Sequence, residues 1–147
     1  MKPINEMRLR IESRSVNEAF ARAAVAAFVS QLDPTLEEIS DIKTAVSEAV
    51  TNCIVHAYAD SVGQIYIWAG LYEDGGVRIK IRDTGCGIED VKKAMEPLYT
   101  TLGEERAGLG FAVMDSFCDR LGVRSAPGKG TTVTLTKYIK GRNGGDD

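Results

Sequence analysis

Glu48, Asn52 and His56 stand at four-residue intervals in the stretch EAVTNCIVHAY. Residues four apart lie about 40° apart around an α-helix. A helix here therefore carries a carboxylate, an amide and an imidazole in one slowly drifting row. An apolar stripe runs beside the row, so the row borders a core. Taken alone, such a row is most simply a solvated face. One His, one Glu and one neutral Asn make a poor zinc set. Asn and Glu oxygens do suit a hard cation such as Mg²⁺, which keeps several of its waters.

Two further segments carry chemistry. RDTGCGI places Asp83 at a strand end, with Gly85 and Gly87 at alternate positions after it. Glycines there let backbone approach a flat ligand closely, and the carboxylate can accept a hydrogen bond from an exocyclic amine. In isolation, Asp-x-Gly is a common turn. ERAGLGF sets Gly108 and Gly110 just before or within the first turn of a helix, with Arg106 close in sequence. Free N–H groups and the helix dipole favour phosphate at such a place, although a lone GxG also serves as a plain loop end. Neither the lysine-containing phosphate loop nor a dinucleotide fingerprint after the first strand is present. The three segments in this order are far more specific than any one of them.

The elements that would position these residues are legible from periodicity. MRLRIES alternates apolar and charged residues, as a half-buried strand does. Ser15 and Glu18 fit a capping box. The helix behind it would turn Phe20, Ala23, Ala24, Ala27 and Phe28 to one face and end before QLDPT. Arg22 then lies off that face, exposed, as either a partner anchor or a solvated residue. Thr35 and Glu38 form a second box, and Ile39, Ile42, Val46, Ala49, Val50, Cys53 and Ala57 give the second helix its buried stripe. Two alternating runs around EDGG read as a hairpin. A short helix follows near 89–95, then an irregular loop over 97–110, a helix over LGFAVMDSFCDRL, and a second hairpin around PGKG. The order β-α-α-β-β-(α)-α-β-β argues for an α+β two-layer sandwich, a mostly antiparallel sheet covered by helices on one face.

Composition sets bounds. A chain of 147 residues suits one domain with one core, here residues 1–140, with 141–147 as a disordered tail. With 44% apolar and 27% charged residues it is an ordinary globular chain. A net charge of −3 disfavours nonspecific nucleic-acid binding. No apolar run is long enough to span a bilayer, and the N-terminus lacks a signal core, so a cytoplasmic location is expected. Three scattered cysteines without CxxC spacing read as reduced structural thiols.

EAVTN, DTGCG, the loop after Pro97 and GLG together resemble the signature of the Bergerat-fold ATPases, over nearly all of residues 7–138. SEAVTNCIVHAY, IRDTGCGIED, PLYTT and GLGFAVMDSF are similar to one branch, the bacterial anti-sigma serine kinases of sporulation. The resemblance implies ATP and Mg²⁺ as cofactors. It implies Glu48 as general base, Asn52 on the metal, and Asp83 on the adenine amino group, with Gly85, Gly87 and Thr131 around the ring. It implies a lid over 100–108 in which Thr100, Thr101 and Arg106 meet the nucleotide, with the Gly108, Leu109 and Gly110 backbone at the phosphates and His56 near them. It also implies a sigma factor as partner, an anti-anti-sigma protein as phosphoacceptor, and a homodimer. Length leaves no room for a gyrase-type transducer domain. The sole His lies in the nucleotide segment, so an acceptor belongs on another protein. The alternatives are a nucleotide-gated sigma-binding module without kinase activity, or a detached histidine-kinase catalytic domain.

Overall fold

A computed structural model describes residues 1–95 and 110–141. Five strands form one sheet: β1 (Asn5–Glu12), β2 (Gln64–Leu71), β3 (Gly76–Asp83), β4 (Arg120–Ala126) and β5 (Gly130–Tyr138). Their spatial order is β1-β2-β3-β5-β4, and every ladder among the described residues is antiparallel. Helices α1 (Asn17–Val29) and α2 (Leu36–Asn52) lie over one face. Two shorter helices among the described residues are α3 (Val91–Ala94) and α4 (Phe111–Phe117).

Alternation explains the layers. Ile65, Ile67, Ala69 and Leu71 of β2 are buried, as are Val77, Ile79 and Ile81 of β3 and Val133 and Leu135 of β5. Burying one such Val, Leu or Ile side chain stabilises by about 1.5–3 kcal/mol. They pack against Ile42, Ala45, Val46, Ala49 and Val50 of α2 in one continuous core. Lys137 of β5 reaches Asp41 of α2 at 3.2 Å and ties the layers at their edge.

The second helix starts where its sequence says. Thr35 Oγ1 accepts from the Glu38 N–H at 3.1 Å, and a Glu38 carboxylate oxygen accepts from the Thr35 N–H at 2.9 Å. The β2–β3 hairpin closes at the DGG turn, where Gly75 takes a φ of +87°, a conformation that disfavours any side chain.

Four local expectations are corrected. There is no Ser15 capping box: α1 begins at Asn17, its cap makes no side-chain bond, and Glu18 pairs with Arg22 at 3.3 Å one turn on. The buried face of α1 is Ala21, Val25 and Val29, while Phe20, Ala23 and Ala27 are exposed. So many alanines leave the apolar phase of this helix ambiguous, and the i, i+4, i+8 row of smaller residues fits closest to α2. The α-helical period of α2 stops at Asn52, and Cys53–Ala57 form a wider π-helical turn closed by the Tyr58 N–H on the Cys53 carbonyl at 3.1 Å. Finally, α4 ends at Phe117 because Cys118 is extended, and Arg120 already belongs to β4.

Candidate functional site

The C-terminal end of α2 and its π turn face the end of β3 across a cleft of about 390 Å³ that opens to solvent. Asn52 and His56 line it from the helix, Asp83 and Gly87 from the strand and its exit loop, and Thr131 from the start of β5. The wider π turn displaces His56 from the ideal α row but keeps it on the cleft. Ala49, Cys53, Ile81, Ile88, Phe111 and Val133 supply apolar walls. Sequence reasoning singled out none of these wall residues for the site, because in a pattern they read as ordinary core.

Asp83 is buried in the cleft wall. Its Oδ1 accepts the Gly85 N–H at 3.0 Å and the Thr131 N–H at 3.2 Å, and the Cys53 thiol donates to Oδ2 at 3.5 Å. Burial first, and then the Asp83 charge, push the Cys53 thiol far above its ordinary pKa. The thiol stays protonated and remains a donor. Oδ1 is thus occupied by backbone, and Oδ2 keeps acceptor capacity on the cleft side.

Thr131 is fixed through Ser125. The Ser125 hydroxyl accepts the Ile88 N–H at 2.8 Å and donates to the Gly130 carbonyl at 2.9 Å. Its single proton is then used, so the 2.7 Å contact with Thr131 has Thr131 donating. The Thr131 oxygen is left as an acceptor beside Asp83.

The exit loop is held on both sides. Tyr58 Oη accepts the Thr84 N–H at 2.7 Å and donates to the Gln64 carbonyl at 2.8 Å. The Cys86 N–H meets the Ala57 carbonyl at 3.2 Å, and the Gly128 N–H meets the Cys86 carbonyl at 2.7 Å. A Cβ on Gly85 would strike the Ala57 backbone, and one on Gly87, at φ +77°, would strike the Ala126 carbonyl. The crowding at both glycines therefore comes from the protein's own backbone. Gly87 also lines the cleft, and Gly85 does not.

Glu48 stands one turn before Asn52 and does not line this cleft. It lines a neighbouring groove between α1 and α2 with Arg22, Lys43 and Ser47. A Cβ on Gly110, at φ +68°, would collide with the Glu48 carboxylate. Glu48 is therefore packed on the backbone at the start of α4. Thr100, Thr101, Arg106, Gly108 and Leu109, with the expected lid, lie outside the described residues.

Residues 11–137 match the family model of the histidine kinase-like ATPase domain. An anti-sigma F factor of Caldanaerobacter subterraneus subsp. tengcongensis is 62% identical over 95% of this chain and 96% of its own length. The chain belongs to the anti-sigma F factor family of histidine kinase-like ATPases. A second family member, from Geobacillus kaustophilus, is 52% identical over 92% of this chain and 93% of its own. Among solved structures, the RsbU and RsbW domains of a Mycobacterium tuberculosis protein superpose with a TM-score of 0.67. The match has 23% identity and covers 93% of this chain and 33% of that one. The histidine kinase domain of an Erythrobacter litoralis blue-light activated kinase gives 0.58 at 21% identity, over 84% and 61%. These two likenesses establish the fold.

Family membership implies a nucleotide, and the residues fit one. The apolar-walled cleft holds a buried carboxylate with acceptor capacity left on one oxygen, which suits an exocyclic amine, and a hydroxyl acceptor beside it. The metal case is thinner. No cluster of three or more His, Cys, Asp or Glu suited to a metal occurs among the described residues. Among the described residues of the cleft, Asn52 would offer an amide oxygen to an ion, which would otherwise depend on phosphate and water. No helix among the described residues is long and apolar enough to cross a membrane.

Proposed function

We propose that the protein is an ATP-dependent serine/threonine protein kinase that also binds a sigma factor and withholds it from RNA polymerase. Its phosphoacceptor is an anti-anti-sigma protein, and it works as a homodimer. The observation that carries the kinase reading is the layout along α2. Asp83 and Asn52 line one cleft, and Glu48 lies one turn before Asn52 on the same helix, against the Gly110 backbone. In this reading the base sits by Asp83 and the phosphates reach toward Glu48.

The roles follow from that layout. Asp83 Oδ2 accepts from the adenine amino group while backbone amides hold Oδ1. Asn52 would hold Mg²⁺ through its amide oxygen. Bound Mg·ATP supplies the phosphoryl group and part of the charge neutralisation. Glu48 takes the proton of an acceptor hydroxyl arriving through the α1–α2 groove. The hydroxyl oxygen then bonds to the γ-phosphorus as the β–γ bridging bond breaks, and ADP leaves. Arg22, on the wall of the same groove, meets the incoming protein. The names of the relatives support the sigma-binding half, since their shared lengths leave no large segment unaligned.

The deciding experiment is phosphoryl transfer from γ-labelled ATP with Mg²⁺, to a candidate anti-anti-sigma protein and separately to a sigma factor. Acid-stable label on a serine of the former is expected. Acid-labile label would indicate transfer to histidine. ATP binding without transfer would reduce the protein to a nucleotide-gated sigma-binding module.

A further inference from the structure

The sheet face away from the cleft has a charge pattern that nucleotide chemistry does not use. In spatial order, the first strand presents Arg8 and Arg10, the third presents Arg78, Lys80 and Arg82, and the fifth presents Arg120 and Arg124, all exposed. Between them the second strand presents Tyr66 and Trp68, and the fourth presents Thr132 and Thr134. Pairing sets Arg10, Tyr66, Arg82, Thr132 and Arg124 side by side in one row. On the strands of this face seven cations stand with two carboxylates, Glu12 and Glu6, the latter 3.5 Å from Arg8, an excess of five positive charges. The whole chain has a net charge of −3, so the remainder carries −8.

Two of the cations lie over aromatic rings of β2. The Arg82 guanidinium sits 4.1 Å from the Tyr66 ring centroid, and the Lys80 ammonium sits 5.7 Å from that of Trp68. Trp68 Nε1 donates to Glu6 at 2.7 Å. Arg8, Arg10, Tyr66, Trp68, Lys80 and Arg82 line an open groove of about 940 Å³ across β1, β2 and β3. Interleaving keeps like charges off adjacent strands, where they would destabilise the sheet. It also leaves an unneutralised positive field.

We propose that this face docks an extended acidic polypeptide segment laid across the strands. Strands lie about 4.8 Å apart, so cation-bearing strands recur about every 10 Å. A polyproline-II segment advances about 9.3 Å per three-residue turn, which puts acidic residues at i, i+3 and i+6 over β1, β3 and β4 in succession. A second copy joined face to face would set positive charge on positive charge. A nucleic acid would meet the negative remainder of the molecule, and cations already cover the Tyr66 and Trp68 rings on one side. The proposal is independent of the kinase reading, because it uses neither the cleft nor the α1–α2 groove.

Trp68 is the only tryptophan, so its emission reports this face directly. The full chain would be titrated with a nonapeptide bearing Glu at positions 1, 4 and 7. Controls are the same composition with the three Glu contiguous, and a single-stranded oligonucleotide. A saturable emission change is expected, tightest for the spaced peptide. Binding should be about tenfold weaker in R10Q/R82Q, with circular dichroism and ATP affinity unchanged. No saturable change, or undiminished affinity in R10Q/R82Q, would overturn the proposal. So would tighter binding of the oligonucleotide, which assigns the face to nucleic acid. Conversion of a sedimenting dimer to monomer by R10Q/R82Q would assign it instead to contact between copies.

Discussion

At the scale of single residues, two carboxylates on one side of the molecule have different surroundings and should fail differently when changed. Asp83 is buried, and backbone N–H groups saturate one of its oxygens. Asp83→Asn keeps the size but offers an NH₂ group in place of an oxygen, so an exocyclic amine would meet a donor. Losing a hydrogen bond to a charged acceptor costs about 1.5–3 kcal/mol. ATP affinity by calorimetry should therefore fall roughly 10–100-fold. Glu48 lies outside the base pocket, on the Gly110 backbone. Glu48→Gln should leave nucleotide affinity nearly unchanged and slow phosphoryl transfer by about 10²–10⁴-fold. Transfer at the native rate would remove Glu48 from its role as base. Cys53 shows how much of the residue scale lies hidden in a sequence. It read as one more apolar position of α2, and only the folded chain brings its thiol to Asp83, thirty residues away.

At the scale of elements, legibility followed how strongly each local signal excluded its alternatives. The Thr35–Glu38 box and the DGG hairpin were readable because few conformations satisfy those residue types. The face of α1 was not, because alanines surround it and a large Phe20 in the pattern is exposed in the fold. The π turn after Asn52 was not either, since it depends on the Tyr58 contacts with Thr84 and Gln64, which are tertiary. Glu38 carries more than its cap. Its carboxylate also accepts the N–H groups of Lys140 at 2.8 Å and Gly141 at 3.2 Å, which pins the chain just after β5 to the start of α2. Partial burial works to raise its pKa, but these backbone donors together with Thr35 outweigh it and hold the carboxyl below its ordinary value. A depressed carboxyl stabilises the fold above its unfolded pKa, and that contribution is lost as pH falls through the folded value. Glu38→Gln should therefore cost about 1 kcal/mol near neutrality, a modest figure because the group is largely solvated. The gap from the unmodified chain should close as the pH drops below about 4. Denaturant titrations at several pH values check this, and a gap that widens in acid would refute the assignment.

At the scale of the whole molecule, the cleft couples nucleotide binding to folding. Its walls come from α2, the π turn, β3, α4 and β5, elements that meet only in the assembled sandwich. The unfolded chain has no such surface, so ligand free energy adds to folding free energy. Saturation at 100 times the dissociation constant should raise stability by about 2.7 kcal/mol, which for a chain of this size shifts Tm by several degrees. The position of Asn52 separates two contributions to that shift. If the amide holds Mg²⁺, Asn52→Ala should keep the shift seen with adenosine, which needs only the Asp83 end. It should lose most of the extra shift that Mg·ATP gives over adenosine. Calorimetric melts of both proteins with each ligand decide it. Equal loss for both ligands would mean that Asn52 shapes the cleft as a whole. No loss for either would remove Asn52 from the site.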